Sequence, residues 1–476
     1  MNRLHLWKRV YVITLFCAAM TIVSPAQSLT TLVQFTGADG RDPGSLVQGL
    51  DGNFYGTTFE GGRSGNLGTV FKVTPAGVLT TLHRFGGTGN PANPLAGLVL
   101  GADGNFYGTF VDTVNPESPA CPLDGGAGGV FKMTPGGLLS TLHNFVCGAG
   151  PECPVSRLIQ SSDGSFWGTT QNGGNSAACP GGCGTVFRIT RDGTLTTMYN
   201  FGSADGANPY SALVQGANGN VYGTTHNGGL STACPGGCGT VFKITVDGEL
   251  TTMHHFGLTD GASPSALLQA RDGSFYGTTM SGGANGYGTI FKITPAGVLT
   301  TLHSFQLFDG AYPTGLIQAT DENFYGQTQS GGTNCYGTIF EMSPAGVLTT
   351  VHTFGFYDGS NPAGGSELVQ GTDGNLYGTT TAGGSHSAGT IFSLSVGLGP
   401  FVKTLPASGR VGAVIRILGT NLTGATSVTF NGSAASFTVV AASEILATVP
   451  AGATTGEVQV TAPGGTLPGD QVFRVR

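Results

Sequence analysis

Asp51-Gly-Asn-Phe-Tyr-Gly-Thr-Thr58 is written seven times along the chain, and its reading decides the fold. Later copies run from Asp103 to Phe110, Asp163 to Thr170, Asn218 to Thr225, Asp272 to Thr279, Asp321 to Thr328 and Asp373 to Thr380. The aromatic before the repeat's glycine falls at Tyr55, Tyr107, Trp167, Tyr222, Tyr276, Tyr325 and Tyr377, at spacings of 52, 60, 55, 54, 49 and 52 residues. A period in this range marks a propeller or a solenoid.

Working outward from the first copy, Ser45 to Gln48 is a short apolar segment, followed by the Asp51-Gly52 turn. Asn53 to Thr58 reads as a second strand, rich in aromatic and β-branched residues. A loop containing Gly61-Gly62 leads to a third strand over Gly68 to Thr74. Pro75-Ala-Gly77 then turns the chain, because Pro presets φ and Gly accepts φ > 0, into a fourth strand over Val78 to Phe85. Four strands joined by hairpin-length turns form one antiparallel blade, and seven such units predict a seven-bladed β-propeller. No helical periodicity competes after residue 26.

The seventh unit never writes its fourth strand. After Ser395 the chain passes directly to Val396-Gly-Leu-Gly-Pro400, while a spare copy of the missing strand stands at the front as Leu29 to Phe35. An open ring exposes two sheet edges that invite aggregation. Residues 29–35 are therefore expected to pair with Gly389 to Ser395 and close the ring three-plus-one. With strands alternating in direction, the Asp-Gly and Pro-Ala-Gly turns fall on one rim. The Gly-Gly loops and blade-to-blade crossovers fall on the other, where a ligand is expected near the central channel.

Gly makes up 83 of 476 residues without a three-residue period, placing it at recurring turns. Charged residues are only 9 % and the formal charge is −7, which argues against a nucleic-acid-binding surface. Arg3, Lys8 and Arg9 precede an apolar run over Val10 to Val23 and the small residues Ser24 and Ala26. Residues 1–26 thus read as a secretory signal peptide cleaved after Ala26, and the mature chain is expected to be secreted or held at the cell envelope, with no later transmembrane segment.

Eight of the nine cysteines lie beyond that signal, an even number in an oxidising compartment. Cys179-Pro-Gly-Gly-Cys183 and Cys234-Pro-Gly-Gly-Cys238 occupy the same loop in adjacent units, and each predicts a local disulfide. Cys147 and Cys153 are placed to close a third, while Cys121 and Cys335 have no obvious mate. A four-thiolate zinc site between the paired loops is the alternative, though an exported chain meets oxidant first. Histidines recur at one strand position (His83, His143, His254, His303 and His352), where Tyr199 and Val33 also occur. That tolerance marks a packing residue. The crossovers repeat Asp-Gly-x-x-Pro, with aspartates at Asp39, Asp205, Asp260, Asp309 and Asp358. These could form a ring facing a cation or sugar, or be ordinary turn chemistry. Tyr210 and Tyr312 stand beside them, placed to stack on a sugar ring. Asp112 and Glu117 share a loop without pairing as acid and base. No motif calls for a cofactor or a metal, and no catalytic residues are identified.

The Asp-Gly-Asn-Phe-Tyr-Gly-Thr-Thr core and the Gly-Thr-Val-Phe-Lys-Val-Thr-Pro-Ala-Gly-Val-Leu-Thr-Thr-Leu-His tail resemble the GloVer repeat of choice-of-anchor tandem repeat proteins, over roughly residues 28–397. The resemblance implies an exported bacterial protein of the envelope or extracellular space and carries no enzymatic activity. Family members often end in a sorting anchor; this chain ends in a different domain. Pro406-Ala-Ser-Gly409, Leu418-Gly-Thr-Asn-Leu422, Val428-Thr-Phe-Asn-Gly432 and Val449-Pro-Ala-Gly452 together resemble an IPT/TIG domain, which implies an immunoglobulin-like β-sandwich. The expected organisation is a signal peptide over 1–26, the propeller over 27–397 and the IPT/TIG domain over 398–476. The function expected is adhesion, through glycan or protein recognition on the crossover rim. A carbohydrate-active hydrolase or lyase using carboxylates on that rim is the alternative.

Overall fold

The computed structural model describes residues 27–62, 65–86, 92–111, 128–146, 151–179, 181–362 and 367–476. The expected signal peptide, Asp112, Glu117, Cys121 and Cys147 lie outside them. The described residues are all β, without a helix. Each of the seven repeat strands carrying the aromatic-Gly pair is the second strand of its own antiparallel, blade-like sheet, and these are numbered first to seventh in chain order.

The Phe-Tyr pair of the repeat explains the stacking of these sheets. Adjacent residues on a strand face opposite sides. In the first sheet (strand Phe54–Glu60), Phe54 packs 4.0 Å from Tyr377 of the seventh, and Tyr55 packs 4.1 Å from Phe106 of the second. The series continues through Tyr107–Phe166 at 4.0 Å, Tyr222–Phe275 at 4.1 Å and Tyr276–Phe324 at 4.3 Å. Trp167 with Val221, and Tyr325 with Leu376, fill the remaining interfaces. The glycine between the aromatic and the threonine gives room to a phenylalanine on the third strand: a Cβ on Gly56 would meet Phe71 Cζ at 2.6 Å. Thr58 Oγ1 and Thr69 Oγ1 pair at 2.9 Å inside the sheet. The second sheet replaces this threonine pair with Phe110 and Gly129, large facing small.

Ser28–Gln34 pairs antiparallel with Thr390–Ser395, giving the seventh sheet its outer strand from the front of the chain. Phe35 N donates to Gly389 O at 3.0 Å, and the Phe35 ring meets Phe71 of the first sheet at 5.4 Å. The same edge-on phenylalanine contact recurs at Phe201–Phe242, Phe256–Phe291, Phe305–Phe340 and Phe354–Phe392.

Glutamines stitch the inner strands. Gln160 Oε1 accepts Ala102 N at 2.8 Å, Gln269 Oε1 accepts Ala217 N at 2.8 Å, and Gln48 Oε1 accepts Thr372 N at 3.0 Å between the first and seventh sheets. The second sheet has Leu100 where the others carry glutamine. There the C-terminal residues substitute: Leu405 joins the cluster around Leu50 and Leu100, and Ser443 Oγ donates to Leu50 O at 2.7 Å.

Residues 401–476 form two further sheets, one built around Val414–Leu418 and Glu444–Thr448, the other around Ser427–Phe430 and Gly456–Ala462. Both contribute to one apolar core containing Ile417, Phe430, Ile445, Val460 and Phe473. This unit sits on the Asp-Gly turn rim: Phe401 N donates to Thr372 O at 3.1 Å, and Arg271 Nη2 to Asp470 O at 2.8 Å.

Candidate functional site

The crossovers return the chain from the outer strand of one sheet to the inner strand of the next. Their aspartates are committed to that turn. Asp260 Oδ1 accepts Gly257 N at 2.8 Å, while its Oδ2 lies 2.8 Å from His254 Nε2. Asp309 joins Gln306 N at 2.7 Å and His303 Nε2 at 3.0 Å; Asp358 joins Gly355 N at 2.6 Å and His352 Nε2 at 3.0 Å. Asp205 bonds Gly202 N and the Tyr199 hydroxyl, and Asp39 bonds Thr36 N at 2.8 Å. The carboxylates thus clamp separate turns beside the outer strands rather than converging at the axis. The strand histidines do more than pack: three of them hold an aspartate six residues on. His83 and His143 have Gly89 and Ala149 at that distance in the sequence, and they pack edge-on against Phe85 and Phe145. The His-x5-Asp spacing is the signal that would have found these pairs.

The residue before each crossover proline is left-handed: Asp42, Asn93, Cys153, Asn208, Ser263, Tyr312 and Asn361 have φ between 51° and 60°. Its N–H reaches back to the preceding sheet, as in Asn208 N to Cys183 O at 2.8 Å and Tyr312 N to Tyr287 O at 3.0 Å. The proline then packs on the glycine that opens the third strand of that sheet; a Cβ on Gly389 would meet Pro43 Cδ at 2.6 Å.

Inward of the prolines, one repeat position reads Ser45, Gly97, Arg157, Ala212, Ala266, Gly315 and Glu367. Two of the seven are charged, with opposite signs, and they meet: Arg157 Nη2 lies 2.7 Å from Glu367 Oε2. The third and seventh sheets are not neighbours, so this ion pair crosses the channel. It sits at a throat that Ser156, Tyr210, Ser211, Ser265 and Thr314 also line. The two charges break the repeat in a column of small residues, and that contrast is how the sequence could have revealed them.

Beyond the throat lies a chamber of about 530 Å³, walled by the inner strands, with Lys403 and Asp470 of the C-terminal unit at its far end. Lys403 Nζ donates to Gln370 O at 2.6 Å. Burial pushes the Lys403 amine down and the Asp470 carboxyl up to about 6. Asp42 stands on the crossover rim, its carboxyl raised to about 6 by burial and then by Glu60. Tyr210 is raised first by burial and then by the charge of Asp42. Tyr312 is 40 % exposed at a crossover farther out.

Cys179–Cys183 and Cys234–Cys238 are both disulfides. The mate expected for Cys153 is Cys147, outside the described residues; Cys335 is exposed and belongs to no disulfide. Among the described residues no group of three or more His, Cys, Asp or Glu could hold a metal. No described helix is long and apolar enough to cross a membrane.

Two solved structures with similar folds are a catalytically inactive virginiamycin B lyase from Staphylococcus aureus with quinupristin and a fungal alcohol oxidase of the AA5 family with copper. The lyase is 16 % identical over 78 % of this chain and 99 % of its own, with a TM-score of 0.54. The oxidase is 13 % identical over 94 % of this chain and 98 % of its own, with a TM-score of 0.52. At such identities the likeness is one of fold, an all-β, propeller-like repeat structure. No curated protein matches the chain. The Gloeobacter/Verrucomicrobia repeat model matches residues 18–234 and again 230–438. With the repeat units stacked through their Phe-Tyr pairs and the model spanning most of the sequence, the chain belongs to the Gloeobacter/Verrucomicrobia repeat family.

Proposed function

We propose that this is an exported binding protein: a seven-bladed propeller closed by its N-terminal strand, with an immunoglobulin-like IPT/TIG unit covering one mouth of the channel. Its ligand is a glycan or a protein at the cell envelope, taken on the crossover rim. The observation that carries this reading is the Arg157–Glu367 pair spanning the throat. Because the two charges satisfy each other, the throat suits an uncharged ligand, to which the Tyr210 hydroxyl in its lining can hydrogen-bond. The local disulfides Cys179–Cys183 and Cys234–Cys238 suit an oxidising compartment. A glycan array probed with residues 27–476 tests the reading. Binding that falls at least tenfold in Arg157→Ala and in Glu367→Gln supports it; ligands bound equally well by both variants refute the throat as the site.

One observation favours a second reading, a carbohydrate-active hydrolase or lyase. The Asp42 carboxyl, raised to about 6, is suited to give a proton near neutral pH. Hydrolysis of an array hit that is abolished by Asp42→Asn would establish it.

A further inference from the structure

The crossover turns differ in one respect that the fold does not require. The two residues before the clamping aspartate are Gly37-Ala38, Ser203-Ala204, Leu258-Thr259, Leu307-Phe308 and Phe356-Tyr357. Small residues close the turn as well as large ones, yet the last two turns carry aromatic side chains. These face solvent: Phe308 is 81 % exposed and Tyr357 78 %. Tyr336, on the Gly-Gly loop between them, sits 5.8 Å from Phe356, which in turn sits 5.9 Å from Tyr357. Tyr312 is exposed on the crossover that follows Phe308.

The platform is rigid. Leu307 O and Phe356 O accept Gly332 N at 2.8 Å and Gly384 N at 2.9 Å, tying each crossover to the Gly-Gly loop of the next sheet. Asp309 and Asp358 clamp the same turns through His303 and His352. Rings held this way lose little freedom on binding. Exposed aromatic patches mark interaction sites, and Tyr336, Phe356 and Tyr357 form one here, with Phe308 exposed on the preceding crossover.

We infer that the turns of the fifth-to-sixth and sixth-to-seventh crossovers form a stacking platform for a neutral polysaccharide. The inference rests on the rim reading above and places the ligand outward of the throat. Three features favour a sugar polymer over a protein. The two most exposed side chains, Phe308 and Tyr357, are aromatic, with Leu307 less exposed at 40 %, and each ring offers a flat apolar face of the size of a sugar ring. The aspartates between them are each held by a turn N–H and a strand histidine, so neither stands free as an anchor for a partner. The aromatic turn also repeats on successive sheets, matching a ligand that itself repeats.

Native affinity gels cast with mixed-linkage β-glucan, xylan, dextran or mannan test this. Residues 27–476 should be retarded in at least one gel. The double variant Phe308→Ala/Tyr357→Ala should lose at least tenfold in affinity, and Tyr357→Trp should keep it. Val78→Ala, which removes a side chain 62 % exposed on the opposite rim, should change nothing. Since both rings are at the surface, unchanged Trp167 fluorescence will show that the double variant is folded. Retardation that persists in the double variant overturns the platform while leaving the throat as the glycan site. No retardation in any gel overturns the platform and removes the glycan arm of the rim reading with it. Self-association abolished by the double variant would assign the patch to a second copy and equally overturn the inference.

Discussion

Phe35→Ala asks whether the ring is held shut by the strand at its front. Phe35 is fully buried, and it shares a cluster with Val33, Leu46, Phe54, Phe71, Tyr377 and Ile391, drawn from the first and seventh sheets. Truncating a core phenylalanine removes its transfer free energy and leaves a cavity, together about 3–5 kcal/mol. Of this, about 0.5–1.5 kcal/mol belongs to the edge-on contact with Phe71. Against a total stability of about 5–15 kcal/mol, such a loss is large. Trp167 is the only tryptophan in residues 27–476; it is buried in the third sheet, far around the ring from the closure. Guanidinium unfolding followed by its fluorescence should show a lower midpoint with an unchanged slope. The loss should match that of Phe201→Ala, whose ring meets Phe242 at 5.2 Å in the equivalent place. If Phe35→Ala costs under about 1 kcal/mol while Phe201→Ala costs its full share, the leading strand is no part of the cooperative unit and the closure argument fails.

Asp42→Asn separates burial of charge from geometry, because Asn208 and Asn361 already adopt the same left-handed conformation in other units. With its folded-state pKa raised from 3.8 to about 6, the native protein holds this proton more firmly than the unfolded chain does. Stability from that proton is complete below about pH 4 and is lost as the pH rises through about 6. The asparagine variant should therefore be the more stable protein at pH 7.5, with the gap closing by pH 4; a gap independent of pH refutes the assignment. Each of the two short disulfides should contribute about 2 kcal/mol by loop closure. Denaturation of Cys179→Ser/Cys183→Ser should show that loss, and peptide mapping without reductant should recover both bridges; a variant as stable as its parent would sink the estimate.

Much of the fold is legible from the repeat. The second strand expected over Asn53 to Thr58 runs from Phe54 to Glu60, and the third, expected from Gly68 to Thr74, runs from Thr69 to Val73. Ser28–Gln34 lies against Thr390–Ser395, close to the pairing expected from the strand missing at the end. The local disulfides were legible because four residues separate each pair in the sequence. The site was less so. The crossover aspartates were visible as a motif, but their histidine partners were concealed by a strand position that looks like simple packing. Arg157 and Glu367 stand 210 residues apart and acquire meaning only when their columns are aligned on the axis.

The sequence by itself determined the units: where each strand starts, where the chain turns, and which aromatics must be buried. Those are local matters, governed by period, turn chemistry and side-chain alternation. Only the tertiary structure decided which surfaces face each other across the axis, how the C-terminal unit covers one mouth at the sheet that lacks its glutamine, and which carboxylates are already occupied. The reason is physical: a repeat constrains each sheet against its immediate neighbours, whereas contacts across a channel depend on the sum of all the rotations between them.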